Sequence, residues 1–513
     1  MDELGVRASF AVAAGTPYAA RAAAEVYRAG GNAADAAVAA AAAVSVTEPL
    51  MSSIGGGGFA TVRAPGGSCE VIDFYDCMPG KGLDPSAFGA GGKPETIRLK
   101  YGHGIDSTVG AASCAVPGAL RGWELLQHRH GRLTLREALA PAARLAREGF
   151  RLCKTSGMWL EVAAELLKLT GETRKNFYNG DRPYLEGEFV RFPDLADTFD
   201  AVRELGADLF YRGELAQLIS EYILARGGII TARDLAEYEA VVREPLTFRY
   251  RGRTVYTNGP PSAGGATLVQ MLNVISAYDI PRLSQEEFVR ILSGAMRLAL
   301  HDRASAYVEA DEIAEVAERL TSDEYARVQR QRIFGPAQTT HLSCMDAGGL
   351  AVSITQSMGY GSGITIPGTG IWMGNTLGEP ELNPKGFHAL KPGQRLVSSM
   401  SPTILITEEG DMVALGSPGA SRIPTAILQV LINVFDRGMA LKAAVEAPRF
   451  HAEGRLFAYE AGAPRLEPEG GIEYLAYEEP SMYFGGVNAV RRTPQGTFEA
   501  AADSRRSGGV DFG

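Results

Sequence analysis

Hydrophobic and polar residues follow two different periods along this chain, and each period predicts one kind of element. Apolar positions spaced as on a helix face, with helix-ending signals such as Gly30-Gly31, predict helices mainly in the first two-thirds. These helices are expected at residues 17–29, 32–43, 118–130, 134–148, 267–277 and, for the most part, 284–331. Alternation of period two predicts strands at residues 8–14, 60–63, 70–75, 243–257, 350–355, 402–408 and 411–415. The last third is richer in strands, so we expect an α+β fold of layered sheets flanked by helices.

The junction at Thr339 separates the two parts. Residues 334–337 (Phe-Gly-Pro-Ala) are a loop signal, and an alternating run begins at Leu342. A turn at 346–349 and a second alternating run predict a hairpin whose first strand starts on a threonine. Such a threonine can act as a nucleophile if the bond before it is cut, because its new α-amino group then serves as the base. The local pattern permits this chemistry and equally fits an ordinary loop-to-strand boundary.

Length and charge bound the classes of protein to consider. The 513 residues suggest about three domains, or one large unit built from two halves. Hydrophobic residues make up 45% of the chain and the mean hydropathy is −0.05, which is enough for a large core. A net charge of −10 argues against nucleic acid as a partner, since phosphate binding needs a basic surface. We interpret the basic cluster at Arg327, Arg330 and Arg332 as a solvated face.

Cysteine and histidine spacing predicts neither a metal site nor a disulfide framework. The five cysteines form no CxxC or CxxH pattern, the seven histidines are scattered, and no HExxH or GxSxG sequence occurs. We expect reduced thiols and no metal or other cofactor, while a Ser-His-Asp triad stays open. The acidic start at residues 1–4 lacks the basic segment of a signal peptide, and the longest apolar stretch, 36–46, is too short to span a bilayer. These features predict a cytoplasmic protein with no membrane partner.

Three stretches rich in glycine or serine carry candidate chemistry. Four consecutive glycines at 55–58 lead into a strand, which indicates either close approach by another group or a flexible turn. The run is not a dinucleotide-binding fingerprint, since no helix follows it. Residues 398–402 place hydroxyls before a strand, where they commonly satisfy turn backbone. Residues 416–421 open a helix to Phe435, so their N–H groups either bind an oxyanion or simply start that helix.

Short motifs in a distinctive order lie along nearly the whole chain. They occupy residues 30–39, 48–49 with 55–59, 117–118, 227–231, 260–265, 339–341, 398–403, 416–419 and 503–506. Each is weak alone, but their joint order resembles the γ-glutamyltranspeptidase family of N-terminal-nucleophile hydrolases. The resemblance implies a four-layer αββα sandwich and a proenzyme that cuts itself between Gln338 and Thr339. The products would be a large subunit, 1–338, and a small catalytic subunit, 339–513, which together form one αββα unit.

The resemblance assigns catalytic roles to four residues of this chain. Thr339 is the nucleophile and, through its freed amine, the base. Ser357 matches a hydroxyl residue that supports the nucleophile. Gly419 and Ala420 match the oxyanion hole, where the family usually has a second glycine in the place of Ala420. A backbone N–H still serves there, so the acylation machinery is expected to be intact.

The substrate-binding residues implied by the resemblance depart from the family pattern. Ser398 and Ser399 match serines that bind the substrate α-carboxylate. Tyr75 stands in place of an arginine that clamps the same carboxylate, and one neutral donor does not replace a bidentate guanidinium. Gly359 stands in place of an asparagine that contacts the glutamyl group. Glu379 stands in place of an aspartate that binds the substrate ammonium, with its charge kept.

We therefore expect an autoprocessing amidohydrolase that cleaves the amide of a small acidic acyl compound through a threonine acyl-enzyme, with water or an amine as acceptor. The alternatives are a true γ-glutamyl transferase or glutathione hydrolase, an amidase for oxamate or a cephalosporin-type side chain, and an unprocessed, non-catalytic family member. The expected partners are the small-molecule amide and the two subunits of one precursor. The sequence leaves the oligomeric state open.

Overall fold

A computed structural model describes residues 5–89, 94–99, 105–309, 339–383, 385–466 and 470–513. Gln338, on one side of the predicted cleavage site, lies outside the described residues, as does the basic cluster at Arg327, Arg330 and Arg332.

The helices run in chain order over the following described residues: α1 (Pro17–Arg28), α2 (Ala33–Thr47), α3 (Ala119–His130), α4 (Leu135–Ala138), α5 (Ala140–Glu148), α6 (Lys154–Val162), α7 (Gly171–Phe177), α8 (Pro193–Leu205), α9 (Asp208–Tyr211), α10 (Glu214–Leu224), α11 (Ala232–Ala236), α12 (Gly264–Ser276), α13 (Gln285–Glu309), α14 (Arg422–Phe435) and α15 (Leu441–Glu446).

The strands are β1 (Phe10–Ala14), β2 (Gly57–Arg63), β3 (Cys69–Phe74), β4 (Glu95–Leu99), β5 (Ile105–Val109), β6 (Phe150–Arg151), β7 (Tyr178–Asn179), β8 (Arg182–Pro183), β9 (Phe189–Val190), β10 (Val241–Arg243), β11 (Leu246–Tyr250), β12 (Arg253–Thr257), β13 (Thr340–Asp346), β14 (Ala351–Ser357), β15 (Thr365–Ile366), β16 (Ile371–Trp372), β17 (Thr403–Ile406), β18 (Met412–Gly416), β19 (Phe450–Glu453), β20 (Leu456–Glu460), β21 (Glu473–Tyr477), β22 (Asn488–Arg492), β23 (Phe498–Ala502) and β24 (Gly509–Phe512).

Two large antiparallel sheets form the centre of the molecule. One has seven strands in the order β10-β3-β2-β14-β13-β1-β24, and the other has six in the order β11-β12-β17-β18-β22-β23. Helices α1, α2 and α3 pack on the outer face of the seven-stranded sheet, and α12, α14 and α15 on the outer face of the other. A smaller apolar cluster lies between the sheets and includes Ala11, Met345, Ile404 and Ala414. The predicted α+β class and four-layer αββα arrangement are confirmed.

Strands from both sides of Thr339 build each sheet. The seven-stranded sheet takes β13, β14 and β24 from the later part of the chain and its other four strands from the earlier part. The six-stranded sheet takes β11 and β12 from the earlier part and the rest from the later part. Neither part forms either of the two large sheets alone, so a cut before Thr339 would leave the two pieces joined by strand pairing and a common core.

Helix α2 is the most deeply buried helix that bears on the site. Asn32 caps it, with its side chain accepting from the N–H groups of Ala34 and Asp35, and all fifteen helical residues are buried. Alanine dominates because only a small side chain allows such close packing against α1 and the sheet. The helix ends at Thr47, one turn later than the sequence predicts, shortly before Pro49.

Two other predicted boundaries differ from the structure. Residues 134–148 form two helices, α4 and α5, because Pro141 lacks the N–H that a continuous helix would need there. Helix α12 begins at Gly264 and not at Thr267, since Gly264 and Gly265 pack directly against backbone carbonyls that leave no room for side chains. Among the described helices, none combines the length and the apolar character needed to cross a bilayer.

Asp35 gives a test of how α2 is held. Its carboxylate accepts hydrogen bonds from the backbone N–H groups of Asn32, Arg132 and Leu133 and from the side chain of Gln127. We expect Asp35→Ala to destabilise the protein by roughly 3 kcal/mol, because several buried donors lose a charged acceptor together. Urea unfolding followed by fluorescence measures this as a lower midpoint.

The matched control is Asp106→Ala, which removes an exposed carboxylate paired with Arg98. Exposed ion pairs contribute at most about 1 kcal/mol, so this variant should unfold close to the wild type. Equal destabilisation by both substitutions would contradict the anchoring role of Asp35.

Candidate active site

Alternation along β13 determines which way the side chain of Thr339 points. Leu342 and Cys344 pack in the core under the helices, whereas Met345 lies in the core between the sheets. The same alternation, continued to the start of the strand, turns Thr340 towards α2, where its hydroxyl donates to Glu48 Oε2 at 2.7 Å. Thr339, one residue earlier, therefore points to the inner face. It is 4% exposed.

Strand register places the predicted supporting hydroxyl beside the nucleophile. Thr340 pairs with Gln356, so the next step of the antiparallel ladder sets Thr339 opposite Ser357. Ser357 in turn pairs with Gly57 of β2, and Gly58 pairs with Phe74, which sets Gly57 opposite Tyr75. Four neighbouring strands thus bring Thr339, Ser357, Gly57 and Tyr75 into one row. The row is about 14 Å long, three strand spacings of about 4.8 Å.

The four glycines at 55–58 allow close approach and are not a flexible turn. A Cβ at Gly56 or Gly58 would overlap the carbonyl oxygens of Ser357 and Thr355, respectively. None of the four has a positive φ, so conformational freedom is not what requires them. Of the two predicted interpretations, the structure supports contact with another group. That group is β14, the strand that carries Ser357.

The predicted oxyanion loop starts beside the nucleophile strand. A Cβ on Gly416, the last residue of β18, would overlap the imidazole of His341, two residues after Thr339. Burial lowers the pKa of His341 to about 3, so this ring is neutral and packs as an uncharged group between β13 and Gly416. The loop that follows therefore leaves β18 at the end of the inner face where Thr339 lies.

Backbone geometry in this loop fits an anion site. Gly419 has φ +117° and Ala420 has φ +67°, and the carbonyls of both accept from the first turn of α14. Among the described residues, neither the Gly419 nor the Ala420 N–H donates a hydrogen bond to another group. Two free N–H groups at a helix start are what an oxyanion needs. Alanine in the left-handed region costs roughly 1 kcal/mol, which explains why glycine suits that position better.

Tyr75 is fully enclosed and does not act as a substitute cation. Its ring stacks on Phe59 with centroids 5.3 Å apart, and a hydrogen bond joins its side chain to that of Ser398. Burial raises the pKa of Tyr75, and the nearby charge of Asp76 raises it further, so the phenol stays neutral. Arg395 touches the same segment, but its guanidinium donates to the Tyr75 carbonyl at 2.9 Å.

Glu379 lies directly against Gly359. Gly359 has φ +65°, and a Cβ there would overlap Glu379 Oε1 and Asn375 Oδ1. Both oxygens accept from the Tyr360 N–H, at 3.1 Å and 2.7 Å respectively. The structure thus brings Gly359 and Glu379 together, as the sequence predicted, and adds Asn375. Its side-chain amide fills the space that a side chain at 359 would take.

Asp76 is a site residue that the sequence analysis missed. A Cβ on Gly57 would lie 2.6 Å from Asp76 Oδ1, so this carboxylate oxygen sits over the row between Tyr75 and Ser357. Asp76 Oδ1 has no hydrogen-bond partner among the described residues, while Oδ2 accepts from Thr376. Its position directly after Tyr75 was the available signal, but the turn that folds it back over Gly57 is not visible in the sequence.

Carboxyl groups dominate the electrostatics around this row. Burial raises the pKa of Asp76 to about 7, against the opposing effects of the Thr376 hydrogen bond and the charge of Arg395. Burial also raises the pKa of Glu379, and the negative charges of Glu381 and Asp76 add to the rise. A cationic group entering here would favour the ionised forms of both carboxyls and lower their pKa values.

The two predicted serines have different surroundings. Ser398 Oγ accepts from the Met400 N–H at 3.1 Å and is bonded to Tyr75. Ser399 Oγ is buried without a hydrogen-bond partner in the part of the chain that the structure describes. Ser399 therefore has an unused polar atom, whereas Ser398 is already engaged. In the described ranges, no three His, Cys, Asp or Glu side chains are placed to hold a metal ion.

Comparison with known proteins supplies an independent line of evidence. The family model described as Gamma-glutamyltranspeptidase matches residues 19–512. The chain is 34% identical to the Acylase ACY 1 proenzyme of Pseudomonas sp. (strain SE83), over 96% of this chain and 91% of that protein. It is 31% identical to the Glutathione hydrolase proenzyme of Escherichia coli (strain K12), over 94% and 88%. The crystal structure of a cephalosporin acylase from Bacillus halodurans superposes with TM-score 0.85 at 28% identity, covering 100% and 97% of the two chains.

Asp76 yields a pH-dependent prediction. Its pKa in the folded state, about 7, lies above the ordinary value of 3.8, so between these values the folded protein holds a proton that the unfolded chain has lost. Asp76 therefore favours the folded state below about pH 4, and its contribution declines as the pH rises to about 7. Asp76→Asn removes this loss, which amounts to roughly 1.4 kcal/mol for each unit of pKa difference. In urea unfolding at pH 4, 5.5 and 8, the free energy of unfolding of the variant should rise relative to that of the wild type as the pH rises.

Asp197→Asn is the control, because that carboxylate is 70% exposed beside Arg147. It should leave the pH dependence of unfolding unchanged. A wild type and an Asp76→Asn variant with parallel profiles from pH 4 to 8 would show that the carboxylate is not held in a buried, proton-retaining state.

Proposed function

The chain belongs to the γ-glutamyltranspeptidase family of N-terminal-nucleophile hydrolases, and on this premise we propose that it is an amidohydrolase with Thr339 as its nucleophile. One observation carries the proposal. Strand alternation and register turn Thr339 and Ser357 to the same inner face, next to a loop with two unused N–H groups.

The first reaction is the cut that frees Thr339. Its hydroxyl oxygen attacks the carbonyl carbon of Gln338, and the C–N bond breaks as the Thr339 nitrogen takes the proton. Water then hydrolyses the resulting ester, which leaves a carboxyl group on Gln338 and a free α-amine on Thr339. Relatives named proenzymes support this maturation step, with residues 1–338 and 339–513 as the two subunits.

The second reaction uses the same hydroxyl on a substrate amide. The freed amine has an ordinary pKa of about 7.7–8.0, which suits a general base near neutral pH. It takes the Thr339 proton as Oγ attacks the carbonyl carbon, and the N–H groups of Gly419 and Ala420 stabilise the oxyanion. The amine product leaves with that proton. Water, or an amine acceptor, then releases the acyl group and restores the threonine.

The acyl pocket favours a group that carries an ammonium and lacks an α-carboxylate. Tyr75 stands where the family has an arginine, so the guanidinium that would bind an α-carboxylate is missing. The guanidinium of Arg395 already donates to backbone carbonyls. Asp76 and Glu379 place two carboxyl groups close to the row that leads to Thr339, and an incoming ammonium would lower their raised pKa values and favour their ionised, negative forms. This revises the acidic acyl compound expected from sequence, because the carboxyl groups of Asp76 and Glu379 would repel a second anion. The acylases among the relatives support an acyl group other than γ-glutamyl.

Autoprocessing can be tested on a denaturing gel with intact-mass measurement. The wild-type chain should give two fragments ending and beginning at Gln338 and Thr339. Thr339→Ala should stay a single chain, because no hydroxyl is left to attack, and Thr339→Ser should still be cut. Two outcomes would contradict the assignment of Thr339 as the nucleophile. One is cleavage of Thr339→Ala at the same bond, and the other is a wild-type chain that stays intact after prolonged incubation.

Substrate preference can be tested with three matched p-nitroanilides. The 4-aminobutyryl amide carries only the ammonium, the glutaryl amide only the carboxylate, and the γ-glutamyl amide both. We expect kcat/KM to fall in the order 4-aminobutyryl, γ-glutamyl, glutaryl, by about 10- to 100-fold overall, since a lost charge-assisted bond is worth roughly 1.5–3 kcal/mol.

Tyr75→Arg should raise turnover of the γ-glutamyl amide relative to the 4-aminobutyryl amide, and Tyr75→Phe should not. A wild type that turns over the γ-glutamyl amide most efficiently would show that Tyr75 does not exclude it. That outcome would favour the glutathione hydrolase activity carried by the relative from Escherichia coli.

A further inference from the structure

Glu48 ties the end of helix α2 to the first residue of the nucleophile strand. It caps α2, and its carboxylate accepts the Thr340 hydroxyl at 2.7 Å. Both residues are 2% exposed. Burying a carboxylate costs free energy unless the group has hydrogen-bond partners. The bond from Thr340 therefore stabilises the buried Glu48 side chain.

The opposite member of the same strand pair is tied to the same helix end. Gln356, which faces Thr340 across the ladder, donates to the Ala41 carbonyl at 3.0 Å and to Ser52 Oγ at 2.7 Å. Its own oxygen accepts from the indole of Trp123. The last strand pair before Thr339 and Ser357 is therefore fixed to the helix layer through both side chains.

The space around Glu48 is shaped to hold its carboxylate. A Cβ on Gly15 would overlap both carboxylate oxygens, so only glycine fits there. Burial raises the pKa of Glu48 to about 7, while the Thr340 hydrogen bond and the charge of Arg506 act against that rise. The thiol of Cys153 also lies within range of its charge.

We propose that Glu48 is a positioning residue, which holds Thr340 on the helix side so that Thr339 is presented on the inner face opposite Ser357. The inference rests on the proposed function, since it concerns the same nucleophile. Successive side chains of a strand point to opposite faces, so fixing one residue fixes the direction of its neighbour. Glu48 acts through Thr340 and touches no reacting atom.

The test compares variants that remove the contact from either side. Thr340→Val keeps the size and branching of threonine and loses only the hydroxyl, while Thr340→Ser keeps the hydroxyl. We expect Thr340→Val to slow autoprocessing and to lower kcat of the processed enzyme by about 10- to 100-fold, as small misplacements of reacting groups do. KM should stay within about twofold, because the acyl pocket is untouched. Thr340→Ser should remain near the wild type.

Glu48→Ala and the double variant Glu48→Ala/Thr340→Val complete a mutant cycle. If both residues act through one bond, the double variant should be no slower than the slower single variant. Where Glu48→Ala fails to fold, the comparison of Thr340→Val with Thr340→Ser decides the proposal alone. Thr198→Val is the matched control, because it removes a buried threonine bond of 2.8 Å in α8, remote from β13 in the sequence.

Two results would overturn the proposal. One is a Thr340→Val variant that processes and turns over as fast as Thr340→Ser. The other is a double variant whose loss equals the product of the single losses, since the two residues would then act independently. Both results leave the nucleophile assignment intact, because that assignment is decided by Thr339→Ala.

Discussion

The antiparallel pairing of β13 with β14, in the middle of the seven-stranded sheet, is the constraint on which the rest of the site depends. Each strand has one neighbour on its other side, β1 and β2 respectively, so neither can shift without breaking two ladders. A slip of one residue would turn every side chain to the opposite face. The register therefore decides at once that Thr339 and Ser357 are partners and that both point between the sheets.

Close packing on both faces protects that register. On the outer face, the alanine-rich helix α2 lies against β13 and β14, and its end holds Thr340 and Gln356. Gly56 and Gly58 let β2 approach β14 closely, and on the inner face Gly416 lets the His341 ring come closer than any side chain would permit. Because the two parts of the chain share both sheets, the structure can tolerate a cut before Thr339 and still keep the strand positions that the chemistry requires.

In the proposed function, catalysis and specificity depend on different parts of this arrangement. The oxyanion loop and the Thr339–Ser357 pair need only backbone geometry and register, which suits a reaction common to many amides. In that proposal, the acyl group is recognised at the far end of the row, where the charges of Asp76 and Glu379 lie within range of Tyr75. Under the proposed function, a phenol in place of a guanidinium here would change the sign of the charge that the acyl site prefers, without changing the reaction.

The sequence by itself determined most of the elements and the identity of the candidate nucleophile. Local periodicity and capping residues located α2, α3 and α14, and the order of short motifs pointed to Thr339, Ser357, Gly419 and Ala420. The helices are visible because helix caps and periodicity depend on neighbours within a few residues, whereas the roles of the four site residues are what the family resemblance implies. Even so, the sequence-based predictions missed the break at Pro141, which is a local signal, and the early start of α12, where Gly264 and Gly265 pack against backbone carbonyls.

Only the tertiary structure decided how distant residues meet. Glu48 and Thr340 are 292 positions apart, and the row from Thr339 to Tyr75 crosses four strands whose partners no local pattern specifies. The place of Asp76 over Gly57 and of Asn375 against Gly359 likewise follows from strand register and loop packing. Such contacts depend on which strands pair and in what register, and the whole core selects that pairing by burying one face of each strand.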